Sequence, residues 1–154
     1  MTSEEHVGTQ READSGEAPA IVLPRRIAIQ LMHEAQRQPD REVCGLIAES
    51  GNGDKRIYVI RNAAAAPEKA FEMDPQALVA AHRRMREAGE QLWAIYHSHP
   101  HGDATPSSVD LRESGHPEAL QIIVSLDIRG VLQLRAWRFT DDGPREQRLI
   151  VSDE

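Results

Sequence analysis

Two histidines separated by a single residue, His97 and His99, are followed by Pro100 and then by Ser107 and Asp110. In an extended chain, residues two apart project to the same side, so both imidazoles can converge on one ion. Pro100 turns the chain away from helix just after the pair. Asp110 falls in the first turn of a short helix that follows, where a brief loop can bring its carboxylate round as a third ligand. Two neutral imidazoles and a carboxylate leave one tetrahedral corner for water, which is the make-up of a catalytic zinc site rather than a closed structural one. Zinc in such a site lowers the pKa of its water toward ~7 and polarises a carbonyl oxygen. The chemistry also needs a base that is not a ligand, and Glu42, at the entrance of the apolar run Val43 to Ala48, is the candidate.

Each of these residues also has a plainer reading. A bare His-x-His often marks solvated histidines in a turn, and Glu42 alone is a charge flanking a strand. Ser107-x-x-Asp110 is a variant of the capping box, although Ser107 can start a helix while Asp110 faces an ion. The complete set read together favours the zinc site. Cys44 lies in an apolar strand and reads as a small core residue, not a nucleophile. His101 reads as an exposed loop histidine, and His33, His82 and His116 receive no role. Arg83, Arg84 and Arg86 read as a solvated helix face, with docking of an acidic partner as the alternative.

The elements that must position the site follow from periodicity and turn signals. Ile21 to Leu23 reads as a short strand, and Pro24 opens a helix presenting Ile27, Leu31 and Ala35, ended by Pro39-Asp40. Val43 to Ala48 and Arg56 to Ile60 flank Gly51-Asn52-Gly53 and read as a strand hairpin. Asp74-Pro75 is an N-cap with proline at the first helical position, opening a helix through Leu78, Ala81 and Met85 that stops at Gly89. Leu92 to His97 is short and bulky, a strand buried on both faces that delivers His97 to its end. A short helix over Ser107 to Ser114 precedes strands at Leu120 to Leu126, Val131 to Phe139 and Glu146 to Val151, with turns at 127–130 and 141–144. The sum is an α/β domain, a mixed and mainly antiparallel sheet with three helices.

The length of 154 residues fits one domain, read as 19–154, preceded by a polar, acidic tail over 1–18 that cannot repay the entropy of ordering. With 18 Lys+Arg against 25 Asp+Glu, the formal charge of -7 offers no footprint for nucleic acid. No apolar stretch approaches the roughly 20 residues of a membrane span, and the first residues lack a signal peptide, so a cytoplasmic location is expected. The single cysteine leaves any metal to His and carboxylate. Whether the chain pairs as a homodimer is left open.

Glu42-Val43-Cys44-Gly45-Leu46, His97-Ser98-His99-Pro100 and Ser107-x-x-Asp110 together resemble the complete signature of the JAMM (MPN+) metallopeptidases, a glutamate followed by H-[ST]-H-P-x6-S-x2-D. The resemblance implies an MPN/JAMM domain of cytidine-deaminase-like fold. It also implies Zn2+ held by His97, His99 and Asp110, with Glu42 as acid/base and Ser107 as an oxyanion donor. Phe71-Glu72-Met73-Asp74-Pro75 and Ile95-Tyr96 resemble the compact bacterial branch, the CysO-cysteine peptidase kind, which acts on small ubiquitin-fold sulfur-carrier proteins. That branch releases cysteine or trailing residues from the carrier's C-terminal Gly-Gly. An isopeptidase for ubiquitin-like conjugates and a non-catalytic MPN scaffold are the alternatives.

Overall fold

Which strands become neighbours decides whether Glu42 can meet the histidines. The computed structural model describes residues 19–113, 119–128 and 131–153. The expected tail over 1–18, His116, the end of the short helix at Ser114 and part of the 127–130 turn lie outside the described residues. The elements run β1 (Ile21–Pro24), α1 (Arg25–Arg37), β2 (Cys44–Glu49), β3 (Lys55–Ile60), α2 (Pro75–Glu87), β4 (Gln91–His99), α3 (Ser108–Glu113), β5 (Leu120–Ile128), β6 (Val131–Thr140), β7 (Gly143–Gln147) and β8 (Leu149–Ser152). Six strands form the main sheet in the order β3-β2-β4-β5-β6-β7. Only the β4/β5 pair is parallel; the other pairs of that sheet are antiparallel. The mixed, mainly antiparallel sheet with three helices is the expected architecture.

The period-two alternation of β2 and β4 sorts their side chains between two helices. On one face, Ile27, Ala28, Leu31 and Ala35 of α1 pack on Val43, Ile47, Ala94 and Tyr96, with Leu120, Ile122 and Val124 from β5. On the other, Ala81 and Met85 of α2 pack on Leu46, Ala48, Ile60 and Ile95. α2 begins as the sequence indicates, with the Asp74 carboxylate accepting from the Ala77 N–H at 3.0 Å and Pro75 in its first turn. Its chain reverses at Gly89, where φ of +69° suits a residue without Cβ. Gly45 answers a different need: a Cβ there would lie 2.3 Å from the Tyr58 carbonyl oxygen and 2.5 Å from the Tyr96 hydroxyl. β2 can therefore lie flat between its neighbours only with glycine at that position.

Most boundaries move by a residue or two, and four of the differences bear on the site or the sheet. Pro24 ends β1 and caps α1 instead of opening it, with extended ψ of 138°. Val43 lies just before β2, and the strand carrying the histidines runs on through His99 instead of ending at His97. The segment expected as one strand from Glu146 to Val151 divides at Arg148. β7 completes the main sheet, whereas β8 leaves it to pair in parallel with β1. Local alternation cannot reveal that change of partner, because a strand of either sheet reads alike.

Candidate metal centre

The centre is assembled where β2 starts and β4 ends. Antiparallel pairing sets Cys44 opposite His97, so Glu42, two residues earlier, reaches past that pair toward His99. Ser98 fastens the junction from between the histidines: its N–H donates to the Val43 carbonyl at 3.0 Å and its hydroxyl accepts from the Val43 N–H at 2.9 Å. The backbone of Glu42 is held on both sides. Its N–H donates to the Pro67 carbonyl at 2.7 Å, and its carbonyl accepts from the Asn62 side chain at 3.0 Å. Asn62, itself buried, also bonds Ala64, Ala70 and Glu72, which folds the connection after β3 against the site. That connection stacks Phe71 on His97, with ring centroids 4.4 Å apart and planes inclined by 26°.

Asp110 arrives by the route its spacing suggests. The Ser107 N–H donates to Asp110 Oδ2 at 2.8 Å while the Asp110 N–H donates to Ser107 Oγ at 3.0 Å, a reciprocal cap at the start of α3. The same Oδ2 lies 3.1 Å from His97 Nε2 and 3.0 Å from His99 Nε2, and the two Nε2 atoms are 3.0 Å apart. Capping and convergence thus coexist in one carboxylate. Glu42 joins them: one donor atom from each of Glu42, His97, His99 and Asp110 lies within 4.8 Å of the others, and all four residues are buried.

The residues fit a cation. His99 Nδ1–H donates to the Asp103 carbonyl at 2.7 Å, which leaves Nε2 of a neutral ring with only a lone pair to offer. His97 Nε2, His99 Nε2 and Asp110 Oδ2 face one point, where a cation would meet two imidazole nitrogens and a carboxylate oxygen at once. A proton shared with Asp110 serves one pair at a time, whereas a metal ion serves all three. Donors about 2.0 to 2.1 Å from a tetrahedral zinc stand roughly 3.3 Å apart, close to the separations found.

Electrostatics separate the roles of the two carboxylates. Burial pushes the Glu42 carboxyl up to about 7; the His99 charge pulls it back in part and the Asp110 charge adds to the rise. Its Oε1 is buried and has no hydrogen-bond partner among the described residues. Burial acts upward on Asp110 too, but its close contacts with the His97 and His99 rings and the Ser107 N–H outweigh it and hold that carboxyl below the usual range. Burial lowers His97; for His99 the bonds to Asp110 and the Asp103 carbonyl overcome burial and raise it. Cys44 is buried, donates to the Ile60 carbonyl at 3.3 Å and is pushed up to about 12 by burial, as suits a core thiol. His101, Arg83, Arg84 and Arg86 are exposed, apart from the cluster.

Sequence reasoning did not single out Asn62, the stacking of Phe71 on His97, or the carbonyl of Asp103. The first two act across long chain separations, and a carbonyl has no residue signature. Ser98 carried a signal only as the small polar residue between the histidines.

Among the described residues no helix is long and apolar enough to cross a membrane. Residues 24–140 match the prokaryotic homologues of the JAB domain. The chain is 34% identical to the desampylase of Haloferax volcanii over 121 residues, covering 76% of this chain and 83% of that protein. It is 26% identical to the CysO-cysteine peptidase of Mycobacterium tuberculosis over 141 residues, covering 90% and 96%. A solution structure of a protein from Desulfitobacterium hafniense superposes with a TM-score of 0.75 at 27% identity, over 86% of this chain and 93% of that one. A JAB1/MPN domain protein from Archaeoglobus fulgidus, at 17% identity and a TM-score of 0.52 over 84% and 99%, shares the fold. With most of its length matched and the cluster in place, the chain belongs to the prokaryotic branch of the JAB (MPN/JAMM) family, the zinc-metalloprotease hydrolases.

Proposed function

We propose that this chain is a zinc peptidase that cleaves the amide bond after the C-terminal Gly-Gly of a small ubiquitin-fold sulfur-carrier protein, releasing cysteine or a short trailing segment. The observation that carries the reading is the buried, unpartnered Glu42 carboxyl oxygen beside three converging donors. His97, His99 and Asp110 would hold the zinc, which when bound supplies an acidified water and draws electrons from the scissile carbonyl. Glu42 takes the proton of the attacking water on the oxygen that has no hydrogen-bond partner among the described residues and passes it to the departing amine nitrogen. The Ser107 hydroxyl accepts the Asp110 N–H and so keeps its own proton for the carbonyl oxygen as that oxygen gains charge. Phe71 covers one face of the His97 ring.

The name of the mycobacterial relative, matched over 90% of this chain, supports a cysteine adduct as substrate. A second reading, cleavage of ubiquitin-like conjugates at an isopeptide bond, is favoured by the Haloferax desampylase and by a Thermus thermophilus protein described as a probable TtuB-protein conjugate cleaving protease, 33% identical over 94 residues. Incubating the zinc-loaded protein with a carrier ending in Gly-Gly-Cys, and with the same carrier joined through Gly-Gly to a lysine side chain, separates the two. Faster release of cysteine is expected; faster cleavage of the lysine conjugate overturns the first reading for the second. A purified protein that binds no zinc and cleaves neither is a scaffold.

A further inference from the structure

The loop between β4 and α3 carries three consecutive backbone carbonyls, each held by a different donor. Gly102 accepts from the Ser125 hydroxyl at 2.5 Å, Asp103 from His99 Nδ1 at 2.7 Å, and Ala104 from the Trp137 indole N–H at 2.8 Å. Only the middle one touches the metal cluster. We propose that Ser125 on β5 and Trp137 on β6 are positioning residues that set the zinc affinity of the centre, by fixing the peptide planes on either side of the carbonyl that orients His99. The inference rests on the zinc reading above.

A carbonyl's direction follows the backbone torsions on both sides of it, so pinning its two neighbours leaves it little freedom. Further contacts stiffen the arrangement. Ala104 is fully buried against Ile123 and Trp137. Arg135 Nη1 donates to Thr105 Oγ1 at 3.4 Å and the guanidinium lies 5.2 Å over the Trp137 ring, while its Nε and Nη2 donate to Glu146 at 2.7 and 2.8 Å. The other imidazole ligand has no comparable hold: His97 Nδ1 is buried with no hydrogen-bond partner among the described residues, and its ring rests on Phe71. His99 is therefore the ligand whose tautomer and ring angle are imposed by a hydrogen bond, and that bond depends on the loop. Releasing either neighbouring carbonyl lets the Asp103 carbonyl swing away, and His99 then meets the ion unoriented.

The test compares zinc dissociation constants, measured by chelator competition, for the metal-stripped wild-type protein and for Trp137→Phe, Ser125→Ala and the double variant. Trp137→Phe keeps most of the ring and loses the donor; Ser125→Ala removes one oxygen. Each single change is expected to weaken zinc about 10-fold and the pair up to about 100-fold, the range for partners that orient a metal's ligands. The visible absorption of the cobalt(II)-substituted variants should shift as well. Leu31→Ala, in the apolar core under α1, should lower the melting temperature while leaving zinc affinity in place, which separates orientation from general loosening. Zinc constants within twofold of wild type in all three variants overturn the inference and leave the zinc reading standing. A wild-type protein that binds no zinc overturns both.

Discussion

Strand β4 has two faces with opposite economies. Toward α1, Ala94 and Tyr96 enter a buried cluster of Leu23, Ile27, Leu31, Ile47, Leu120, Ile122 and Val124, where removal of apolar surface from water is the gain. Toward the other side, where the strand ends, His97 and His99 meet Glu42 and Asp110, four buried ionisable groups at one point. A buried polar atom left without a partner costs about 1 to 3 kcal/mol, and both Glu42 Oε1 and His97 Nδ1 are in that condition among the described residues. Ala94 and Tyr96 stabilise the fold on one face, and on the other the strand's end, beyond Ile95 in the α2 cluster, draws on that stability to hold chemistry. Changes on the two faces should therefore separate folding from catalysis.

The sharpest separation is expected at Glu42. Glu42→Gln should lower the turnover of the zinc enzyme by on the order of 10^2 to 10^4, the usual contribution of a general base, with zinc still bound. His97→Ala and Asp110→Ala should lose zinc together with activity. Metal analysis alongside initial rates distinguishes these outcomes, and turnover retained in Glu42→Gln would remove that residue from its role.

The α1 face should give the reverse pattern. Leu31 is fully buried, and Leu31→Ala should destabilise the protein by about 2 to 5 kcal/mol through lost burial and the cavity left behind. Urea unfolding of the zinc-free protein measures this directly. Zinc affinity in the surviving folded fraction should match wild type; a parallel fall would mean that the two faces are mechanically coupled through β4.

The sequence already shows the parts of this contrast that rest on short spacing. His97 and His99 share a side because extended chain alternates, Asp110 lies within capping distance of Ser107, and Asp74-Pro75 opens α2. Glu42 was placed by resemblance and by its position before a strand; its approach to His99 depends on the pairing of Cys44 with His97, which local pattern does not determine. Asn62, Ser125 and Trp137 were illegible for the same reason, since each works on backbone groups distant in sequence. The division of the C-terminal run into β7 and β8 is not legible because no glycine or proline interrupts Glu146 to Val151, and the change of sheet depends on pairing with β6 and β1.

The smallest expected effect concerns the cost of burying Glu42 in the zinc-free protein. Its carboxyl rises from 4.5 to about 7 on folding, chiefly because burial penalises the charged form. Between those values the native protein keeps a proton that the unfolded chain has released, so stability falls as pH rises through that window and levels off above it. The full difference is on the order of 3 kcal/mol. The neighbouring His97 and His99 are shifted too, downward and upward respectively, so the informative quantity is the gap between wild type and Glu42→Gln. Near pH 4.5, where Glu42 is uncharged in the native protein and only half ionised in the unfolded chain, unfolding of the two zinc-free proteins should nearly coincide. By pH 8 the glutamine variant should be the more stable. A zinc ion beside the carboxylate favours its charged form and should shrink the gap. A gap that does not grow between pH 4.5 and 8 would mean that solvent reaches this carboxylate, and the two faces of β4 would then differ less than their burial implies.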